Sequence, residues 1–93
     1  MFKIEERNDR YYVLPTAEYV LEKFDRFSFP YDTNWEIYRL FKYPPEQFCQ
    51  YLVSQYRAVV VFKNEFPFID FSFSAYSAAE EFKKELEERA LLP

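Results

Sequence analysis

Residues Ala58 to Leu86 read AVVVFKNEFPFIDFSFSAYSAAEEFKKEL, and the fold follows from how this stretch changes its period. Ala58-Val59-Val60-Val61-Phe62 is an unbroken, mostly β-branched run. That pattern predicts a central strand covered on both faces, within the most buried part of the chain. Lys63-Asn64-Glu65 supplies the turn. Phe66, Phe68, Asp70 and Ser72 then alternate with Pro67, Ile69, Phe71 and Phe73, which puts the second set on the core face. Pro67 lacks an amide donor, so the returning strand begins at an edge or unpaired. After Phe73 the apolar spacing becomes helical. Ser74 or Ser77 is the expected cap, and Ala78, Ala79, Phe82 and Leu86 line one face. Glu80, Glu81, Lys83, Lys84, Glu85, Glu87, Glu88 and Arg89 cover the rest. The unit is a hairpin followed by an amphipathic helix.

The N-terminal part has the same outline. Phe2 and Ile4 alternate with Lys3 and Glu5, Asn8-Asp9 signals a turn, and Tyr11-Tyr12-Val13-Leu14 is β-prone. Pro15 ends this hairpin. Thr16 caps a helix in which Ala17, Val20, Leu21 and Phe24 share a face, running to about Phe27. Residues 2–27 and 58–90 do not align in register, so shared ββα grammar explains them better than duplication. Between them, Asp32 or Thr33 caps a short helix carrying Trp35, Ile37, Tyr38, Leu40 and Phe41. Pro45 then suits the first position of a further helix, with Glu46 in its first turn and Phe48, Cys49, Leu52, Val53 and Tyr56 as its apolar stripe. The predicted fold is α+β, a single domain spanning residues 1–93. A small antiparallel sheet from two hairpins carries three or four helices packed on one side.

Absences narrow the function. The 93 residues contain no glycine and no histidine. Phosphate-cradling loops and dinucleotide turns need glycine for close backbone approach, and the common nucleophilic triads need histidine. Zinc sites of the usual His/Cys type are missing as well. One cysteine, Cys49, forms no internal disulfide and reads as a small buried hydrophobe rather than a reactive thiol. The expectation is a protein that is not an enzyme and holds no cofactor or metal. Its net charge of −4 is split evenly between residues 1–46 and 47–93. Without a basic stripe, nucleic acid is a poor partner. No apolar run is long enough for a membrane span, and the acidic N-terminus does not resemble a leader, so a cytoplasmic protein is expected.

The remaining signal is aromatic: twelve Phe, nine Tyr and one Trp. They concentrate in Phe27 to Pro45, FSFPYDTNWEIYRLFKYPP. A core this size consumes several rings, but the second half already supplies Phe48, Phe62, Phe71 and Phe82. The surplus makes Trp35 the expected anchor of a binding surface, with Tyr31, Tyr38, Arg39 and Tyr43 around it. Three weaker candidates are better read as structure. Of Tyr11-Tyr12, one side chain must face outward. The acids of the last helix form a solvated face with Glu80–Lys84 and Glu85–Arg89 pairs. Asp70 lacks a second carboxylate for acid–base work.

The expected function is therefore a small acidic protein–protein interaction module: an adaptor, a complex subunit or an inhibitor. A homodimer through the same surface is one form of it. The size suits a viral or mobile-element genome, in which case the location would be the host cytoplasm. The alternatives are a single-stranded nucleic-acid binder using stacked aromatics and a small-ligand domain.

Overall fold

Two tight features near the N-terminus set the first hairpin. In the computed structural model, which describes residues 1–19, 43–62 and 69–91, strand β1 (Phe2–Arg7) pairs antiparallel with β2 (Arg10–Pro15). Asn8 and Asp9 connect them at φ of 52° and 63°, the left-handed pair that a two-residue turn requires. Asn and Asp tolerate that region better than other non-glycine residues, which is how a chain without glycine makes the turn. The Met1 carbonyl accepts from Thr16 N–H at 2.9 Å and extends the ladder by one bond. Thr16 Oγ1 accepts from the Tyr19 amide at 3.2 Å, the cap expected from the sequence, and residues 17–19 turn helical. Tyr19 is buried against Phe2, their ring centroids 4.8 Å apart, although the helical spacing had assigned the inward face to its neighbours.

The second hairpin pairs β3 (Val59–Phe62) with β4 (Ile69–Ser72), Val59 opposite Ser72 and Val61 opposite Asp70. The hairpins meet at one antiparallel bridge, where Tyr11 and Phe73 exchange both backbone hydrogen bonds at 2.9 and 2.8 Å. In space the order runs β1, β2, β4, β3, so β3 is an outermost strand among the described residues rather than a central one.

Opposed residues in an antiparallel pair share a face. The core face therefore carries Phe2, Ile4, Tyr11, Val13, Ala58, Val60, Phe71 and Phe73. Helix α1 (Pro45–Tyr56) and helix α2 (Tyr76–Ala90) pack on that face. Pro45 sits in the first turn of α1 as expected, and Phe48 and Leu52 are fully buried. The helix closes on Arg57 in the left-handed region at φ 55°, where the Arg57 and Ala58 amides donate to the Val53 and Leu52 carbonyls. This position usually belongs to glycine. In α2, Ala79, Phe82 and Leu86 are buried, the face read from the sequence. Neither Ser74 nor Ser77 caps the helix: Ala75 occupies the cap position without a side-chain bond.

Phe82 is the keystone. Its ring meets Phe71 at 5.5 Å, Phe73 at 5.4 Å and Tyr56 at 5.5 Å, and Phe48 meets Phe71 at 5.7 Å. Three of these contacts are edge-to-face and the Phe73–Phe82 pair is tilted at 35°, and such pairs add to the area the rings bury. The architecture is α+β, with both described helices on one side of the antiparallel strands. The expected Trp35 helix, most of the aromatic stretch 27–45, and the Lys63-Asn64-Glu65 turn lie outside the described residues.

Candidate functional site

Two places in the second half of the chain concentrate unusual side chains, and they differ in kind. The first is polar and closed. Three turns along α2, Glu85 points toward α1. Tyr51 Oη donates from 2.7 Å to either carboxylate oxygen, and Tyr56 Oη donates to Oε1 from 2.6 Å. Arg89, one turn on, pairs with Glu85 Oε2 at 3.3 Å. Its guanidinium also lies 5.5 Å over the Tyr43 ring and donates to Tyr43 Oη at 3.4 Å. Tyr43 and Tyr56 each stand edge-on to Tyr51 at 6.0 Å.

Chemically this group is a strut. Burial first, and the neighbouring carboxylate next, push the Tyr51 and Tyr56 phenols above their ordinary range, so both are protonated donors at neutral pH. A protonated phenol already committed to a carboxylate is no base. The arrangement fixes α1 against α2 through short charge-assisted bonds. From the sequence, Glu85 reads as one of several solvated acids. What places it inside is its spacing of three from Phe82, on the flank of the buried stripe. The Glu85–Arg89 pair forms as expected, whereas Lys83–Glu87 at 3.4 Å is the second pair seen on this helix, and the expected Glu80–Lys84 pair does not appear.

The second place is apolar and open. On the face of the β3–β4 hairpin away from the helices, Val59 is 48 % exposed and Val61 is 52 % exposed. The continuous apolar run is thus covered on one side only. Residues Val53, Ser54, Gln55 and Arg57 are exposed too, so this region is not the most buried part of the chain. The reason lies in the sheet order: among the described residues no strand or helix lies beyond β3, so Ala58 is buried and Val60 half-buried while Val59 and Val61 stay exposed. Its β-branched character records strand propensity, not burial.

Polar groups frame the valines. Ser72, opposite Val59, is 4 % exposed because Arg10 reaches across from the first hairpin. Arg10 Nε donates to Ser72 Oγ at 2.5 Å, and Arg10 Nη2 to the Ser72 carbonyl at 3.0 Å. Asp70 stands opposite Val61, and one of its oxygens accepts from the Phe71 amide at 3.1 Å. Arg57, exposed, heads the strand. The outer face is therefore a short valine strip with cations near its Val59 end and a carboxylate beside its Val61 end.

Of the residues singled out in the sequence, Tyr31, Trp35, Tyr38 and Arg39 lie outside the described residues. Tyr43 is described and half-buried, held by Arg89 and Tyr51. Tyr11 packs edge-on to Tyr76 at 5.7 Å on the core side, and Tyr12 takes the Arg7 guanidinium 5.7 Å over its ring on the other. Both are half-buried. Cys49 is half-buried, its thiol pushed up by burial and then by Glu46, which keeps it in the unreactive form. Among the described residues no three carboxylates, cysteines or histidines cluster as a metal site would require. None of the described helices is long and apolar enough to cross a membrane. Comparison with protein families, with curated proteins and with solved structures returns no match.

Proposed function

We propose that the chain is a small protein-binding module, an adaptor, subunit or inhibitor, whose contact surface is the outer face of β3. The observation that carries this reading is the contrast between the two outer strands. On β1, the side chains facing away from the helices are Lys3, Glu5 and Arg7, joined by ion pairs at 3.9 and 2.9 Å. Charged side chains of that kind are how folded proteins discourage strand edges from associating. On β3 the equivalent positions hold Val59 and Val61, with no charge between Ala58 and Phe62. Single exposed apolar residues are ordinary. Two neighbouring β-branched ones on an unguarded outer strand are what a partner would cover.

The aromatic group Tyr31, Trp35, Tyr38, Arg39 and Tyr43 is a second contact candidate, resting on composition. The test compares the two surfaces directly. Immobilised wild-type chain, a Val59→Thr/Val61→Thr variant and a Trp35→Ala/Tyr38→Ala variant are used to capture proteins from native lysate. The specific partner should be lost with the valine variant while its circular dichroism and melting curve stay unchanged. Equal capture by wild type and the valine variant would overturn the β3 reading. Loss only with a folded Trp35→Ala/Tyr38→Ala variant would move the site to the aromatic stretch.

A further inference from the structure

We infer that the outward face of α1 binds a second copy of this chain, the two α1 helices lying antiparallel across a two-fold axis. The inference is independent of the β3 surface, whose exposed valines face away from the helices. Its basis is a helix face unlike the rest of the molecule. Phe48 and Leu52 are fully buried, so the residues on the far side of the helix point outward. These are Glu46, Gln50 and Val53, spaced by four and then three, and Arg57 continues the series where the helix ends. All four are exposed, Val53 at 50 %. Gln47, Ser54 and Gln55 are exposed beside them and carry no charge. On α2, by contrast, the exposed positions past the first turn are Glu80, Glu81, Lys84 and Glu88, an ordinary solvated face. The sparse charge of α1 matches the core of an interface, where Glu and Lys are depleted.

Charge placement identifies the occupant. Glu46 stands at one end of the stripe and Arg57 at the other. Among the described residues neither side chain forms an ion pair or a hydrogen bond. An antiparallel second copy answers both at once. With the axis midway between Gln50 and Val53, Glu46 meets Arg57 of the second copy, and by symmetry Arg57 meets its Glu46. A parallel pair would instead set Glu46 against Glu46 and Arg57 against Arg57. The two Val53 side chains come together beside the axis, flanked by the Gln50 amides. Opposed helix dipoles favour the same arrangement. The net charge of −4 on each chain opposes association, but none of the excess lies on this face, where Glu46 and Arg57 cancel. A single helix pair is at the small end of specific interfaces, so the dimer should be weak and should dissociate on dilution.

Sedimentation of the full chain over a concentration series tests this, with circular dichroism to check that each variant is folded. The wild type should pass from monomer to dimer as concentration rises. Glu46→Arg or Arg57→Glu alone sets like charges together at both ends, and should weaken the dimer by at least about tenfold. A one-to-one mixture of the two variants brings opposite charges together again, so a heterodimer should form at wild-type concentrations. A merely structural effect of either substitution would not be repaired by mixing. Val59→Thr/Val61→Thr should dimerise as the wild type does. A wild type that stays monomeric up to about 1 mM would overturn the proposal. So would a dimer indifferent to both charge changes, or two weakened variants that mixing does not rescue. Loss of the dimer with the valine variant would overturn it as well, because the second copy would then sit on β3.

Discussion

The Glu85 cluster and the outer face of β3 teach opposite lessons about where to look for function. The cluster gathers three tyrosines, a carboxylate and a guanidinium, the residue types of many active sites, and each described group within it is bonded to another. A network bonded in this way resists change. The valine strip has no catalytic side chain at all, yet it leaves two apolar groups half in water. Function in this molecule is better sought in the unfinished surface than in the concentrated chemistry. Mutations that act on one region and spare the other test that distinction.

The two regions share one support, and removing it should erase the difference. Phe82 touches Tyr56 beside the cluster and Phe71 in β4. Phe82→Ala leaves a cavity under both, with an expected loss of about 3–5 kcal/mol. For a domain of this size that is a large share of the total stability. Denaturant unfolding would measure it, and native-state exchange should show α1, α2 and β4 losing protection together. Survival of β4 protection while the helices open would mean that the hairpin does not depend on the helical layer.

Glu85→Ala separates the regions. It removes the carboxylate that accepts from the Tyr51 and Tyr56 hydroxyls and pairs with Arg89, at an expected cost of about 1–3 kcal/mol, while partner capture through β3 persists. The pH dependence gives a second reading. Both phenols are raised in the folded state, so folding holds their protons more tightly than the unfolded chain does. Their stabilising contribution is complete below the ordinary tyrosine value of about 10 and is lost as pH climbs above it. Urea midpoints between pH 8 and 11.5 should therefore fall in the wild type above pH 10. The fall should be shallower in Glu85→Ala, because the carboxylate is one of the causes of the shift, and burial and the Tyr51–Tyr56 contact remain. An equal slope in both proteins would show that the carboxylate adds nothing to the shift.

How much of this was readable in advance depends on the range of the interaction. The Asn8-Asp9 turn, the Thr16 cap, the second ββα unit and its Phe82 face are local, and all are present, whereas residues 20–27 of the expected first helix lie outside the described residues. Strand order is not local. The run from Ala58 to Phe62 is compatible with a central strand, and only the Tyr11–Phe73 bridge puts it on the outside. The Glu85 cluster was hidden for a related reason: its partners lie 29 and 34 residues away on another helix, and no pattern within α2 announces them. Arg10 bonding Ser72 across 62 residues is equally silent. The aromatic stretch that dominated the sequence falls almost wholly outside the described residues, so Trp35 keeps the standing its composition gave it.

The smallest expected effect on stability is also the sharpest test of the contrast. Val59→Thr/Val61→Thr replaces one methyl by a hydroxyl at each position and keeps a β-branched side chain of similar strand propensity. Both sites are about half exposed, so the new hydroxyls reach water without leaving an unpaired group in the core. The change in unfolding free energy should stay within about 0.5 kcal/mol. Loss of capture would then have no folding explanation, since Val60, opposite Phe71 on the core side, is untouched. A loss of more than about 1 kcal/mol, well beyond that expectation, would instead show that these valines are covered within the folded chain. The strip would then be part of the core, and the binding reading would have no surface left to stand on.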